Sequence, residues 1–274
     1  MTSVRLRTVD AFTDKPFTGN PAAMLVLDDT PSDEWMAAVA RETNLSVTGF
    51  VIREELPDAH FRPRWFTPTV EINLCGHATL ASAHCLFEDG VVGPIRFATR
   101  SGVLTVDQRP DGSLAMDFPA WFSAQFDARS AVSEAIGAPV EWTVRTDNEA
   151  FLIALVANEG SVRDLSPDLA AVSRLEASVG LIVTATADPG HEYDFVSRVF
   201  APQAGILEDP VTGSAHTVLA PYWADHLGSA SLVGLQVSPR SGLVGVELNG
   251  DRVTIIVRAI TISDGTLSEA ASPS

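Results

Sequence analysis

Arg64-Trp65-Phe66-Thr67-Pro68 and Arg198-Val199-Phe200-Ala201-Pro202 are two copies of one R-x-F-x-P pattern, and the chain around each repeats in the same order. Each copy leads into a glycine-containing turn and an apolar, helix-like run. In the first this is Cys75-Gly76-His77-Ala78-Thr79-Leu80-Ala81-Ser82-Ala83; in the second it is Val211-Thr212-Gly213-Ser214-Ala215-His216-Thr217-Val218-Leu219-Ala220. Both then reach an identical tripeptide, Arg100-Ser101-Gly102 and Arg240-Ser241-Gly242, that opens an alternating strand. Polar turns follow at Arg109-Pro110-Asp111-Gly112 and Asn249-Gly250-Asp251, and each leads into another strand. Two generic strand–turn–helix units would explain any one of these matches but not the ordered set, so the chain reads as an internal duplication.

Each repeat runs strand, turn, helix and β-hairpin, which predicts an α+β fold of two similar halves with much antiparallel sheet. The seam is expected between Phe118 and Val144, where Pro119 and Pro139 interrupt the pattern, giving halves 1–125 and 126–274. Outside the repeat, residues 4–12 alternate like a strand. Ser32 is placed to cap a helix carrying the stripe Trp35, Met36, Val39 and Ala40. Residues 48–52, 144–156 and 179–185 read as further strands.

Composition narrows the function. No run approaches the roughly 20 apolar residues that span a bilayer. Met1-Thr2-Ser3-Val4-Arg5 lacks the apolar block of a signal peptide, so a cytoplasmic protein with no membrane partner is expected. A net charge of −17 would repel a phosphate backbone, which argues against nucleic acid as a partner. Cys75 and Cys85 do not make a disulfide framework or a zinc spacing, so no metal is expected. Neither G-x-G-x-x-G nor G-x-x-x-x-G-K-[ST] opens a helix, so no nucleotide cofactor is expected either.

The two glycine turns are where chemistry is expected. A helix start carries unpaired N–H groups and the positive end of the helix dipole, and glycine lets a carboxylate or enolate oxygen approach them. In a duplicated chain, two such starts can hold one anionic substrate, each half supplying a reactive side chain. Such a pair suits proton abstraction beside a carboxylate, where the developing negative charge is the obstacle. The first turn offers Cys75 and His77; the second offers Glu208, Asp209 and Ser214. His77 titrates by default near neutral pH, burial would raise Asp209 toward useful basicity, and a helix start would lower the Cys75 thiol. Taken singly, each residue has a structural reading as a cap, a packed side chain or a turn former; their matched placement favours function.

Three segments resemble the PhzF-like isomerases of phenazine biosynthesis, relatives of diaminopimelate epimerase. They are Asp10-Ala11-Phe12-Thr13 through Gly19-Asn20-Pro21-Ala22, Phe66-Thr67-Pro68 through Cys75-Gly76-His77-Ala78-Thr79, and Phe200-Ala201-Pro202 through Glu208-Asp209-Pro210-Val211-Thr212-Gly213-Ser214-Ala215. The resemblance implies two domains, each a curled, mostly antiparallel sheet around a central helix. It also implies an active site in the cleft between them, no cofactor or metal, and a homodimer. Position by position, His77 and Asp209 match active-site residues, and Gly76 and Ser214 match the helix-start anion contacts; the substrate carboxylate is expected on the N–H groups near Gly76 and Gly213-Ser214. Asn20 matches a residue near the substrate pocket, and Cys75 matches one of the two cysteine bases of the epimerase relatives. The second half has no matching cysteine, which argues against a two-thiol racemase.

One departure bears on mechanism. The family pattern N-L-S-E-T carries its principal acid/base glutamate where this chain reads Asn44-Leu45-Ser46-Val47-Thr48. Valine cannot carry a proton, and Glu42 lies on the preceding helix. Two readings follow. In the first, the chain is a cofactor-independent isomerase with a non-standard acid/base set. Asp209, His77 and Cys75 then shift a proton or double bond in a small cyclic or conjugated carboxylic or amino acid of secondary metabolism, such as antibiotic biosynthesis, with Val47 shaping the pocket. In the second, the protein only binds a small acid.

Overall fold

The computed structural model describes residues 4–73, 75–100 and 102–273. Ser101 of the repeated tripeptide and the first three residues lie outside that set. The first stretch of chain folds as β1 (Arg5–Ala11), β2 (Asn20–Leu27), α1 (Asp33–Thr43), β3 (Val47–Arg53), β4 (Phe61–Phe66), β5 (Glu71–Ile72), α2 (Gly76–Glu88), β6 (Ile95–Thr99), β7 (Gly102–Gln108) and β8 (Leu114–Pro119). The second follows as β9 (Ser123–Gln125), α3 (Arg129–Ile136), β10 (Trp142–Thr146), β11 (Phe151–Leu155), α4 (Glu159–Arg163), α5 (Leu169–Val172), β12 (Gly180–Thr186), β13 (Phe195–Ala201), β14 (Ile206–Asp209), α6 (Gly213–Leu227), β15 (Ser231–Gln236) and β16 (Gly242–Asn249). β17 (Arg252–Val257) and β18 (Ala259–Thr266) close the chain.

The duplication read from the sequence is present strand for strand. In the first unit β1–β2 is antiparallel, β2–β3 parallel, β3–β4 and β4–β5 antiparallel, β4–β6 parallel and β6–β7 antiparallel. The series β10 to β16 has the same six relations in the same order. The parallel pairs arise because a helix crosses between their strands, which a tight turn cannot do.

Each sheet curls around one helix that is apolar on nearly every side, as a central helix must be. In α2 the buried set includes Ala78, Leu80, Ala81, Ala83, Cys85 and Leu86, and the helix packs on β1, β2, β3, β7 and β18. In α6 it includes Ala215, Val218, Leu219, Ala220 and Trp223, packed on β15 and β16. The opposite sheet face is covered in the first unit by α1, through Met36, Val39 and Ala40 against Leu25, Phe50 and Ile52. In the second unit α3, α4 and α5 supply Val132, Val162 and Val172 against Leu152, Leu181 and Val196.

Two sequence readings change. The compact units are Met1–Asp117 with Ile256–Ser274, and Phe118–Ile255, so the 126–274 half does not run to the C-terminus. The reason is β18, which returns to pair antiparallel with β1 from Arg5↔Thr266 to Ala11↔Ala259. Residues 144–156 are a hairpin rather than one strand. Asp147 and Asn148 turn the chain, with Asn148 Oδ1 accepting from Ala150 N and Glu149 in the left-handed region. Ser32 caps α1 as expected, accepting from Trp35 N. Cys75 and Cys85 are both buried thiols outside any disulfide. Among the described residues no helix is long and apolar enough to cross a membrane.

Candidate active site

The R-x-F-x-P motifs build the approach to both glycine turns. Arg64 on β4 forms a bidentate ion pair with Glu71 on β5, at 2.8 and 2.9 Å, with its guanidinium 5.2 Å from the Phe66 ring centre. Arg198 on β13 repeats this with Glu208 on β14, at 2.7 and 2.9 Å, and lies 4.9 Å from the Phe200 ring centre. Two parallel N–H···O bonds fix an arginine and a carboxylate in one plane, so each pair pins a short strand that feeds the following helix. Glu208, offered by the sequence as a site residue, is therefore committed to this strand-to-strand clamp.

At the first turn Cys75 is the N-cap of α2, but its side chain caps nothing in the helix. Its Sγ lies instead 3.4 Å from His77 Nδ1 and 3.8 Å from Nε2. Ser46 Oγ sits 3.4 Å from His77 Nε2 and donates to Pro21 O at 2.8 Å, with Asn20 Oδ1 at 3.3 Å. Because the single Ser46 proton goes toward these carbonyl oxygens, His77 donates from Nε2 and leaves Nδ1 as an acceptor toward the thiol. Burial pushes the His77 pKa down to about 4, so the ring is neutral at pH 7, not poised near neutrality as the residue type alone suggests. Asn20 is fully buried at the start of β2. It is set there by Gly19, whose left-handed backbone and contact with Ala11 O leave no room for a side chain.

Val47 opens β3 opposite Ala22 and is 3% exposed. Phe50 and Ile52 of this strand face α1, so by alternation Val47 faces α2, on the side of Cys75 and His77. Glu42 is exposed on α1.

At the second turn Thr212 is the N-cap of α6 and likewise spends no side-chain bond on its helix. Its hydroxyl donates to Asp209 Oδ2 at 2.6 Å. Gln236, fully buried on β15, accepts from Thr212 N at 2.9 Å and donates to Asp209 O at 2.7 Å and to Thr212 Oγ1 at 3.3 Å. Gly213 is buried as the first residue of α6, and Ser214 beside it is exposed. His216, one turn into α6, bonds Thr212 O through Nδ1 at 2.9 Å, and burial holds its pKa down to about 4.

The structure thus brings Cys75, Gly76 and His77 together with Asn20 at one helix start, and Asp209 with Gly213 and Ser214 at the other. At both, the N-cap side chain makes no capping bond to a backbone N–H and contacts an ionisable side chain instead. Among the described residues no group of three or more His, Cys, Asp or Glu side chains could hold a metal ion.

The family model for phenazine biosynthesis-like proteins, PhzC-PhzF, matches residues 9–265. The chain belongs to this family. It is similar, at 46% identity over 262 residues and covering 94% of this chain and 96% of the other, to an uncharacterized isomerase of Pseudomonas aeruginosa. A second uncharacterized isomerase from the same organism is 45% identical over 261 residues, covering 94% of this chain and 96% of that one. Among solved structures, a phenazine biosynthesis protein of the PhzF family from Enterococcus faecalis superposes with a TM-score of 0.90 at 36% identity, over 97% of this chain and 100% of that one.

Ser46, Thr212 and Gln236 were not singled out in the sequence. Ser46 and Thr212 adjoin residues that were, and a hydroxyl beside Val47 or Gly213 was the available signal. Gln236 carried none, because only the β13–β15 pairing brings it under the turn.

Proposed function

We propose that this PhzC-PhzF family member is an isomerase that moves a proton within a small carboxylic or amino acid. The observation that carries the reading is the pairing of two ionisable centres with two helix starts whose N-cap side chains make no capping bond to a backbone N–H. Asp209 takes a proton from one carbon, its negative charge passing into a conjugated or α-carbanionic substrate. Cys75 returns its thiol proton to a second carbon and is left as a thiolate; Asp209 then releases its proton and Cys75 regains one by exchange with solvent, with the neutral His77 ring beside Sγ to carry it. Gly76, Gly213 and Ser214 hold the substrate's carboxylate and its developing enolate on helix N–H groups. The reading requires both helix starts to act on one substrate.

Because Val47 is apolar and buried, the acid/base set cannot include a carboxylate at that position. The same fact favours the rival reading of a protein that only binds a small acid, and one experiment separates them. The protein is incubated in D2O with a panel of cyclic α-amino acids and β,γ-unsaturated carboxylates. Carbon-bound deuterium in recovered acid supports isomerisation, and Asp209→Asn is expected to lower its rate by at least about 100-fold. Tight binding with no deuterium uptake across the panel supports the binding protein, and undiminished uptake in Asp209→Asn removes Asp209 from the mechanism.

A further inference from the structure

The acid of the second turn does not stand on its own; a second strand reaches under it. Gln236 Nε2 donates to Thr212 Oγ1, so the Thr212 proton is directed onward to Asp209 Oδ2. The same amide closes the turn by accepting from Thr212 N and donating to Asp209 O. The side-chain relay therefore runs one way, from amide to hydroxyl to carboxyl oxygen.

The duplication supplies an internal control. Arg64 and Glu71 correspond to Arg198 and Glu208, so Asp209 corresponds to Ile72 and Thr212 to Cys75. Phe61 pairs with Phe97 as Phe195 pairs with Gly234, so Gln236 corresponds to Thr99. The acid, the hydroxyl and the amide are thus all present in one half and all replaced in the other, though both halves build the same turn. The fold alone does not require Gln236; the half that carries the acid does.

We propose that Thr212 and Gln236 are positioning residues that hold Asp209 as an oriented carboxylate, Thr212 by direct donation and Gln236 by aiming that donation. This rests on the reading of Asp209 as the proton carrier. The charged or titratable side chains adjoining the turn along the sequence are Glu208, ion-paired with Arg198, and His216, bonded to Thr212 O; the variants leave both in place.

The test is the Asp209 carboxyl titration, followed by NMR on 13C-labelled aspartate and assigned with Asp209→Asn. Thr212→Val and Thr212→Ala both remove the hydroxyl, and either one whose amide spectrum remains folded serves. The expected result is an Asp209 pKa raised by about one unit, with Thr212→Ser restoring it. Gln236→Met is expected to give a smaller rise, because the Thr212 hydroxyl is then free to turn away. If proton transfer is detected, the acid limb of its pH profile moves up with the pKa, so that the loss at low pH is recovered at high pH. An Asp209 pKa unchanged to within about 0.2 unit in a folded Thr212→Val or Thr212→Ala protein overturns the proposal. Failure of the reading it rests on shows separately, as no deuterium uptake across the panel for the isomerase and as undiminished uptake in Asp209→Asn for the role of Asp209, and either leaves the titration result intact.

Discussion

His77 and His216 lie in the first turns of the two central helices and are both kept neutral by burial, but they are held differently. His77 shares its nitrogens between Cys75 and Ser46 at 3.4 Å, contacts long enough to reorganise around a substrate. His216 is fully buried, donates firmly at 2.9 Å, and has no partner for Nε2. Its folded pKa of about 4 lies below the unfolded value, so between about pH 6.5 and 4 the unfolded chain binds the proton that the folded one refuses. Stability is therefore complete above pH 6.5 and falls as the pH drops through that window. For His216 the loss between pH 7 and 5.5 is about 1 kcal/mol. His216→Asn keeps a donor for Thr212 O and removes the titration, so its urea-unfolding free energy is expected to be flatter by that amount over the same range. An identical pH slope in the two proteins would show that His216 protonates freely in the fold. Residue identity was legible here and environment was not. Cys75, His77 and Asp209 stand out in the sequence, whereas the depressed histidines and the amide under Asp209 depend on partners brought by distant strands.

Among the elements, the short strands β5 and β14 most reward comparison between the halves. Two and four residues long, they are held to β4 and β13 by one arginine–glutamate pair each. The Arg64 guanidinium hydrogen-bonded to Glu71 holds that carboxyl below the usual range. Arg198 is the more buried of the two, at 9% exposure, and also donates to the carbonyls of Val162, Arg163 and Leu165, the closest at 2.7 Å. It therefore ties α4 and the chain after it to the strand that delivers Asp209. Arg198→Met leaves a carboxylate and three carbonyls without their donor, and is expected to cost about 3–5 kcal/mol in urea unfolding. Glu208→Gln, which keeps one acceptor, is expected to cost less than half of that. A loss below about 1 kcal/mol for Arg198→Met would mean that backbone pairing alone holds β14. The R-x-F-x-P repeat was readable because in both halves the arginine clamps a glutamate and lies over the phenylalanine ring, so the same residue types recur at the same spacing. The 144–156 hairpin was not, because its turn residues Asp147 and Asn148 make only a short polar break before β11, which is continuously apolar as buried strands are.

At the scale of the whole molecule the repeat was legible and the path of the chain was not. Duplicated motifs report what each unit contains, while the return of β18 to the first unit is carried by an alternating strand without a motif of its own. That return does much for the first unit. It forms the ladder with β1, the Arg5–Asp264 ion pair, the bond from Leu267 N to Val4 O and the bond from Trp35 Nε1 to Ala271 O at 2.9 Å. It also sets Leu267 against the cluster under α1. Ending the chain at Arg258 would strip all of these and leave β1, whose Val9 and Ala11 are fully buried, as an open edge. The expected outcome is a drop in melting temperature of at least about 10 °C, with aggregation on heating. Hydrogen exchange should resolve where the loss falls. The amides of β1 and β2 are expected to lose protection, while those of β11, β12 and β13, whose ladders are untouched, keep it. Uniform loss of protection across both sets would show instead that the two units unfold only as one.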